Sequence, residues 1–99
     1  MQAKINYKFS ANLWKDTSSG GWVFVSLPKN ISKEIRDNLK WQEEGWGRMK
    51  ASASIKNVEW DTAIWFDTKT DTYLLPVKAV IRKKAHLELN DLINVSISI

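Results

Sequence analysis

Four basic side chains lie close together in the last third of the chain, where they could neutralise phosphate groups. Residues 77–86 contain no acidic side chain and include Lys78, Arg82, Lys83 and Lys84. Because Lys78 and Arg82 are four residues apart, a helix would place both on one side, and each phosphate contact would make binding weaken with salt. The alternative is a solvated helix face, balanced by acids nearby in the sequence such as Asp67, Asp71 and Asp91.

Six tryptophans are a heavy aromatic load for a chain of 99 residues, and their rings could stack on bases or on sugar faces. They are Trp14, Trp22, Trp41, Trp46, Trp60 and Trp65. Trp65 is the most suggestive, because its neighbours on one predicted strand face are polar. The alternative is packing in a small barrel, which needs large side chains opposite small ones. The pattern assigns Trp22 and Trp60 to the core and leaves Trp46 and Trp65 open between core and surface.

The other reactive residue types do not assemble a catalytic or metal site. The chain has no cysteine, which excludes disulfides, thiolate ligands and cysteine nucleophiles. The one histidine, His86, cannot form a multi-histidine metal site and has no nucleophile near it in sequence. The acids Glu59, Asp61 and Asp67 could share a strand face and bind a hard cation, but they lack calcium-loop spacing, which favours a solvated face. We expect no catalytic residue, metal or cofactor.

Length and composition predict a single folded domain over residues 1–99. Hydrophobic residues make up 43% of the chain, which is typical of a folded domain rather than a disordered tail. Neither a membrane helix nor a signal peptide is visible, and with the absence of cysteine this predicts a cytoplasmic protein. The net charge of +4 permits binding to an anionic partner but does not demand it.

Alternating apolar residues predict three strands in the first half, at residues 5–13, 22–27 and 49–55. The first two are joined by a glycine-containing turn at 18–21, which indicates a hairpin. Alanines on the inward face of the third strand require a large ring opposite them.

Two helices are predicted, each following a Leu-Pro pair. Residues 31–39 carry one apolar helical stripe, with Asn30 or Ser32 as the N-cap and with Gly45 and Gly47 ending the helix. Residues 77–85 form a short second helix with a basic side.

The second half repeats the plan of the first, with strands at 58–66, 72–75 and 93–99. Leu27-Pro28 and Leu75-Pro76 mark the same place in each half, 48 residues apart. The order β-β-α-β therefore occurs twice, and two such halves could interlock about a pseudo-twofold axis into a closed barrel without exposed edges. The predicted fold class is mainly β (α+β).

Two sequence blocks resemble the bacterial domain-of-unknown-function 1905 family. Residues 21–28 (GWVFVSLP) are similar to its GWxFVxLP motif, and residues 73–83 (YLLPVKAVIRK) to its YxLPVxAxxRK signature. Residues 86–95 resemble the stretch that follows, with Asn90 where the family usually has glycine. The resemblance implies a double-split β-barrel capped by two short helices, similar to AbrB-like swapped-hairpin domains but built from one chain. It implies no activity and no catalytic residue.

The first hypothesis for function is a non-catalytic binding or interaction module with a protein or small-molecule partner. Its predicted surface consists of Lys78, Arg82, Lys83, Lys84, Trp65 and Trp46. One alternative is a nucleic-acid-binding protein that uses the basic helix 77–85. Another is a small-molecule-binding protein or enzyme, which a pocket lined by Trp65, Arg82 and one carboxylate would favour. We expect a monomer, since one chain supplies both barrel halves.

Overall fold

Residues 4–99, apart from the side chains of Ser19 and Trp46, are described by a computed structural model and form six strands and two α-helices. The elements of the first half are β1 (Asn6–Asp16), β2 (Trp22–Ser26), α1 (Lys29–Leu39) and β3 (Arg48–Ile55). Those of the second half are β4 (Val58–Asp67), β5 (Thr72–Pro76), α2 (Ala79–Lys84) and β6 (Leu92–Ser98). The predicted order β-β-α-β, repeated once, is confirmed.

The strands close into a barrel in the order β1-β2-β5-β4-β3-β6, with every neighbouring pair antiparallel. Exchanging the two halves leaves this order unchanged, because the β1–β2 hairpin corresponds to β4–β5, the β3–β4 pair corresponds to β1–β6, and the β2–β5 and β3–β6 pairs each map onto themselves. Ser26 pairs with Leu74, which lies 48 residues further on, the same spacing that separates the two Leu-Pro pairs. The mainly β, single-domain barrel predicted from the repeat is therefore confirmed.

Side chains that point inward from all six strands fill the barrel. Leu13, Leu75 and Ile97 are completely buried and belong to one apolar cluster. Ala53 of β3 pairs with Trp60 of β4, whose ring packs against that cluster. Trp60 is only partly buried and packs against the core rather than belonging to it, so its assignment to the core is confirmed only in part.

Both helices cover the barrel core. Ile35 and Leu39 of α1 and Ile81 of α2 join the same buried cluster as the inward strand residues, so the helices close over the ends that the strands leave open. The second helix is shorter than predicted. The first ends at Leu39, where a 3-10 turn at Lys40–Gln42 follows, so the predicted end at Gly45 and Gly47 is wrong. Within residues 4–99, neither helix has the length and apolar content needed to cross a bilayer.

The start of α1 also differs from the prediction. The helix begins directly after Pro28, and no side chain caps its first turn, so neither Asn30 nor Ser32 is the N-cap. Ser32 is instead completely buried, and its Oγ accepts the backbone N–H of Tyr73 in β5 at 3.0 Å. Because β2 ends before Pro28, Ser32 replaces the acceptor that a longer strand would have offered to Tyr73.

Candidate ligand-binding site

Four aromatic rings form a cluster on the outside of the barrel. This outer aromatic cluster consists of Trp14, Trp22, Phe24 and Trp65. The centroids of Trp14 and Phe24 are 5.3 Å apart, those of Trp22 and Trp65 are 5.1 Å apart, and those of Phe24 and Trp65 are 5.8 Å apart. Phe24 is only 3% exposed yet does not belong to the core cluster, so the tryptophans bury it from the outer side.

Strand register brings these rings together. On β1 and β2, Trp14 pairs with Phe24, while on β4 and β5 Trp65 pairs with Leu74. Because β2 and β5 are neighbours, the two hairpins place their outward aromatic residues side by side. The indole Nε1–H of Trp14 donates to Ser26 Oγ at 2.9 Å, which fixes the rim of the cluster to β2.

The assignment of Trp22 to the core is wrong. Trp22 is 45% exposed, because it occupies an outward position on β2 while its neighbour Val23 points inward. Trp65 is partly exposed beside it. Trp41 is 77% exposed and lies away from the cluster, on the turn after α1. The side chain of Trp46, part of the predicted surface, lies outside the described residues.

A groove of about 730 Å³ runs beside the outer aromatic cluster. This tryptophan groove is lined by Trp22, Trp60 and Trp65, and its cationic side chains are Lys4, Arg48, Lys50 and Lys78. The antiparallel register explains why cationic and aromatic side chains lie next to each other, since Arg48 of β3 pairs with Trp65 of β4. Asp61 is the one acidic side chain among the described lining residues. It accepts a hydrogen bond from Ser52 Oγ at 3.2 Å. The groove thus combines flat apolar rings with an excess of positive charge.

A second hollow of about 290 Å³ adjoins α2, and its walls include Gly20, Gly21, Trp22, Lys78 and Arg82. We call it the α2 pocket. Trp22 and Lys78 line both hollows, so they stand on the border between them. Gly21 has a φ of +89°, a left-handed conformation that L side chains rarely adopt, and this lets the hairpin turn tightly at the rim of the pocket.

The predicted basic residues are divided by the fold. Lys78 lines both hollows and Arg82 lines the α2 pocket, whereas Lys83 and Lys84 are exposed and line neither. Arg82 Nε donates to the carbonyl of Val77 at 3.2 Å, which holds its guanidinium near the α2 pocket. Within residues 4–99, none of these four cations forms an ion pair with an acid; the ion pairs found there are Lys33–Asp37 and Arg36–Glu43.

The predicted acids are likewise separated. Asp61 lines the tryptophan groove, while Asp67 accepts the N–H of Lys69 and the hydroxyl of Thr70 in the β4–β5 turn. Asp91 accepts the N–H of Glu88 in another turn. Among residues 4–99, no group of three histidine, cysteine or acidic side chains is arranged to hold a metal ion. The structure does not bring Trp65, Arg82 and a carboxylate into one of the hollows described here.

One polar cluster escaped the sequence analysis. The Tyr73 hydroxyl donates to Glu43 Oε1 at 2.5 Å, and Arg36 Nη1 donates to the same oxygen at 2.7 Å. The Arg36 guanidinium lies 3.8 Å from the centre of the Phe66 ring. Burial, strengthened by the Glu43 carboxylate, raises the pKa of the Tyr73 phenol well above its usual range.

This cluster braces the fold rather than forming a reaction site. Tyr73 is completely buried, so a substrate does not reach its hydroxyl. The hydrogen bonds tie α1 and the segment after it to β5. Since Tyr73 and Glu43 are 30 residues apart, the sequence offers no periodic signal for the contact.

Comparison with known proteins shows the family of the chain and is silent on activity. The family model described as a domain of unknown function (DUF1905) matches residues 9–97. No curated protein matches the chain. The match spans all six strands and both helices almost completely. The chain therefore belongs to the DUF1905 family, whose function is unknown.

Proposed function

We propose that this domain is a non-catalytic binding module, and that its ligand is an anionic molecule carrying a flat ring, held in the tryptophan groove. The observation that carries the proposal is the contact between the partly exposed rings of Trp22 and Trp65, in a groove with four cationic side chains and one acidic side chain. A protein surface normally interleaves the two charge signs. A ring-lined surface with one dominant sign is suited to a ligand of the opposite sign.

The size and lining of the groove support the same assignment. Its volume of about 730 Å³ falls within the range of small-molecule sites, roughly 300–1,000 Å³. The indole faces supply apolar contact and polarizable surface for another ring. Arg48 and Lys50 of β3 and Lys78, just before α2, supply charge from two parts of the fold, so the anionic part of the ligand is attracted from more than one direction.

A binding role is favoured over catalysis because the one acidic side chain among the described lining residues of the groove is held in a hydrogen-bonded chain with a hydroxyl and a lysine. That acidic side chain, Asp61, is engaged by the Ser52 hydroxyl, and Lys4 Nζ donates to that same hydroxyl at 3.3 Å. General acid–base chemistry needs a titratable group facing a reacting atom, commonly with a second group of complementary role. A cytoplasmic location and a monomeric state complete the proposal, supported by the absence of cysteine and by the one-chain barrel.

Tryptophan emission tests the proposal with two probes, adenosine monophosphate and octathymidylate, at low salt. We expect at least one to quench emission saturably, with adenosine and inorganic phosphate each weaker than the monophosphate that combines them. Trp22→Leu is expected to reduce the response, whereas Trp41→Leu removes an exposed tryptophan outside the groove and serves as the control. Failure of both probes to bind, or equal losses in the two variants, would contradict the proposal.

A matched pair of lysine variants tests the electrostatic part. Lys50 lines the groove, and Lys8 is an exposed lysine on β1 that does not line it. Lys50→Gln is expected to weaken binding of the charged probe, and Lys8→Gln to weaken it much less, although both remove one charge from a strand. Equal effects would mean that net charge alone, rather than the groove, attracts the probe.

A further inference from the structure

The tryptophan groove and the α2 pocket adjoin each other, and we call the two together the combined surface. Trp22, Pro76 and Lys78 line both hollows and form the border that they share. The surface begins at Arg48 and Lys50 on β3, crosses β4 and β5, and reaches β2 and the start of α2. Three strand spacings of about 4.8 Å make that path roughly 14 Å long before the α2 pocket is added. A single mononucleotide would occupy only part of it.

Positive charge continues along the whole path. The cationic side chains on it are Lys4, Arg48, Lys50, Lys78 and Arg82, with Asp61 the one acidic side chain among the described residues that line it. A ligand with a single anionic group would meet only some of these cations. A chain of regularly spaced phosphates would meet cations at both ends of the path, which is the arrangement typical of proteins that follow a nucleic-acid backbone.

The two exposed rings point to unpaired bases. Trp22 and Trp65 are inclined at 54° to each other with their centroids 5.1 Å apart, so the two rings contact each other and do not form a parallel sandwich around one base. Bases in a duplex are already stacked and paired, whereas bases in a single strand are free to stack on indole rings. Aromatic platforms beside a cationic track bind single strands with little sequence preference.

We infer that this combined surface binds single-stranded nucleic acid, DNA or RNA, with the phosphates following the cations and bases stacking on Trp22 and Trp65. The inference rests on the proposed function, since it names the ligand class of the same groove. It adds that the site spans more than one nucleotide and extends past Trp22 to Lys78 and Arg82.

Affinity as a function of oligonucleotide length tests the added claim. Labelled thymidylates of one, four and eight nucleotides, with octauridylate and an eight-base-pair duplex, are titrated by fluorescence anisotropy. We expect the octamer to bind at least about tenfold more tightly than the monomer, because linked contacts share one association step. The duplex is expected to bind more weakly than the single strand. Comparing octathymidylate with octauridylate tells which of DNA and RNA is preferred.

Salt dependence counts the phosphate contacts. With five cations engaged, the plot of log affinity against log salt has an expected slope of about −3.5 for a single strand. Lys78→Gln and Lys50→Gln, at opposite ends of the path, are each expected to make that slope shallower by about 0.7. Lys8→Gln is the control and should leave the slope unchanged.

Trp22→Leu tests the stacking contact. We expect an affinity loss of about 5- to 150-fold, the range for one base stacked on an aromatic residue, with no loss for Trp41→Leu. If Trp22→Leu disrupts the packing of the outer aromatic cluster, Lys78→Gln still tests the inference, because Lys78 is exposed and its side chain caps no helix.

The outcomes separate this inference from the proposed function. If the mononucleotide binds as tightly as the octanucleotide, with a shallow salt slope, the proposed function stays in place and the single-strand inference is overturned. A duplex or a heparin fragment that binds as tightly as octathymidylate overturns it too, because neither supplies free bases. If the protein binds neither the mononucleotide nor any of the oligonucleotides, the proposed function and the single-strand inference are both overturned.

Discussion

Replacing Ser32 with alanine removes the acceptor for a buried backbone N–H on the neighbouring strand. The carbonyl of Tyr73 accepts the N–H of Leu27, so the N–H of Tyr73 points to the same side of β5, where β2 has already ended. Ser32 Oγ lies 3.0 Å from that nitrogen and also donates to the Leu27 carbonyl at 3.4 Å. Since Ser32 is completely buried, water does not replace the lost hydroxyl without a rearrangement.

The magnitude follows from two opposing terms. A buried donor left without a partner costs about 1–3 kcal/mol. Alanine has a higher helix propensity than serine, which returns about 0.5 kcal/mol at this position inside α1. We therefore expect Ser32→Ala to lower the free energy of unfolding by about 0.5–2.5 kcal/mol, with an unchanged denaturant slope.

Equilibrium unfolding in urea, followed by circular dichroism, measures the loss, and amide exchange at Tyr73 locates it. Asn38→Ala is the control, because Asn38 is exposed on the same helix and its side chain bonds only to the carbonyl of Glu34. We expect that variant to be as stable as the parent or slightly more so. A Ser32→Ala protein within 0.5 kcal/mol of the parent, with the Tyr73 amide still protected, would refute the assigned hydrogen bond.

Three further predictions concern the core, the buried phenol and the assembly. Leu75→Asp places a charge where the side chain is completely buried and should cost at least about 4 kcal/mol, whereas Val80→Asp on the exposed side of α2 should melt near the parent temperature. Tyr73 and Tyr7 have raised pKa values, so their stabilising contribution is complete below about pH 10 and is lost as the pH rises above it. In ultraviolet difference spectra at pH 10 we expect little phenolate in the folded protein and about half-ionised phenols in the protein unfolded in urea. Equal ionisation of the folded and unfolded protein would contradict this prediction. Light scattering should give a monomer of 11.4 kDa, and a dimer persisting on dilution would oppose the one-chain barrel.

The barrel could be predicted from the sequence because its signals are local. Alternation of apolar residues identified the strands, and the repeated Leu-Pro pair identified the two halves. Closure then follows, since two interlocking halves leave no unpaired edge. The helix boundaries were less accessible: Pro28 starts α1 without a side-chain cap, and Ser32 is used for a contact with β5 that sequence spacing does not reveal.

The candidate site was only partly predictable, because β2 is apolar on both faces. Val23 and Val25 point into the barrel, while Trp22 and Phe24 point outward and belong to the outer aromatic cluster. Alternation cannot tell those faces apart when both are covered. The pairing of Arg48 with Trp65 depends on the register of β3 against β4, and this register decides which cations join the groove. The predicted surface also included Lys83 and Lys84, which line neither hollow.

The most direct test of the binding surface is a nitrogen–proton correlation spectrum recorded while octathymidylate is added. Each tryptophan gives its own indole N–H signal, so the spectrum shows which of the rings contact the ligand. We predict shifts for the indoles of Trp22 and Trp65 and for backbone amides near Lys50 and Lys78, with the Trp41 indole unmoved. Shifts confined to the serine- and asparagine-rich face of β6 and β1, or no shifts at all, would contradict the assignment of the tryptophan groove as the ligand site.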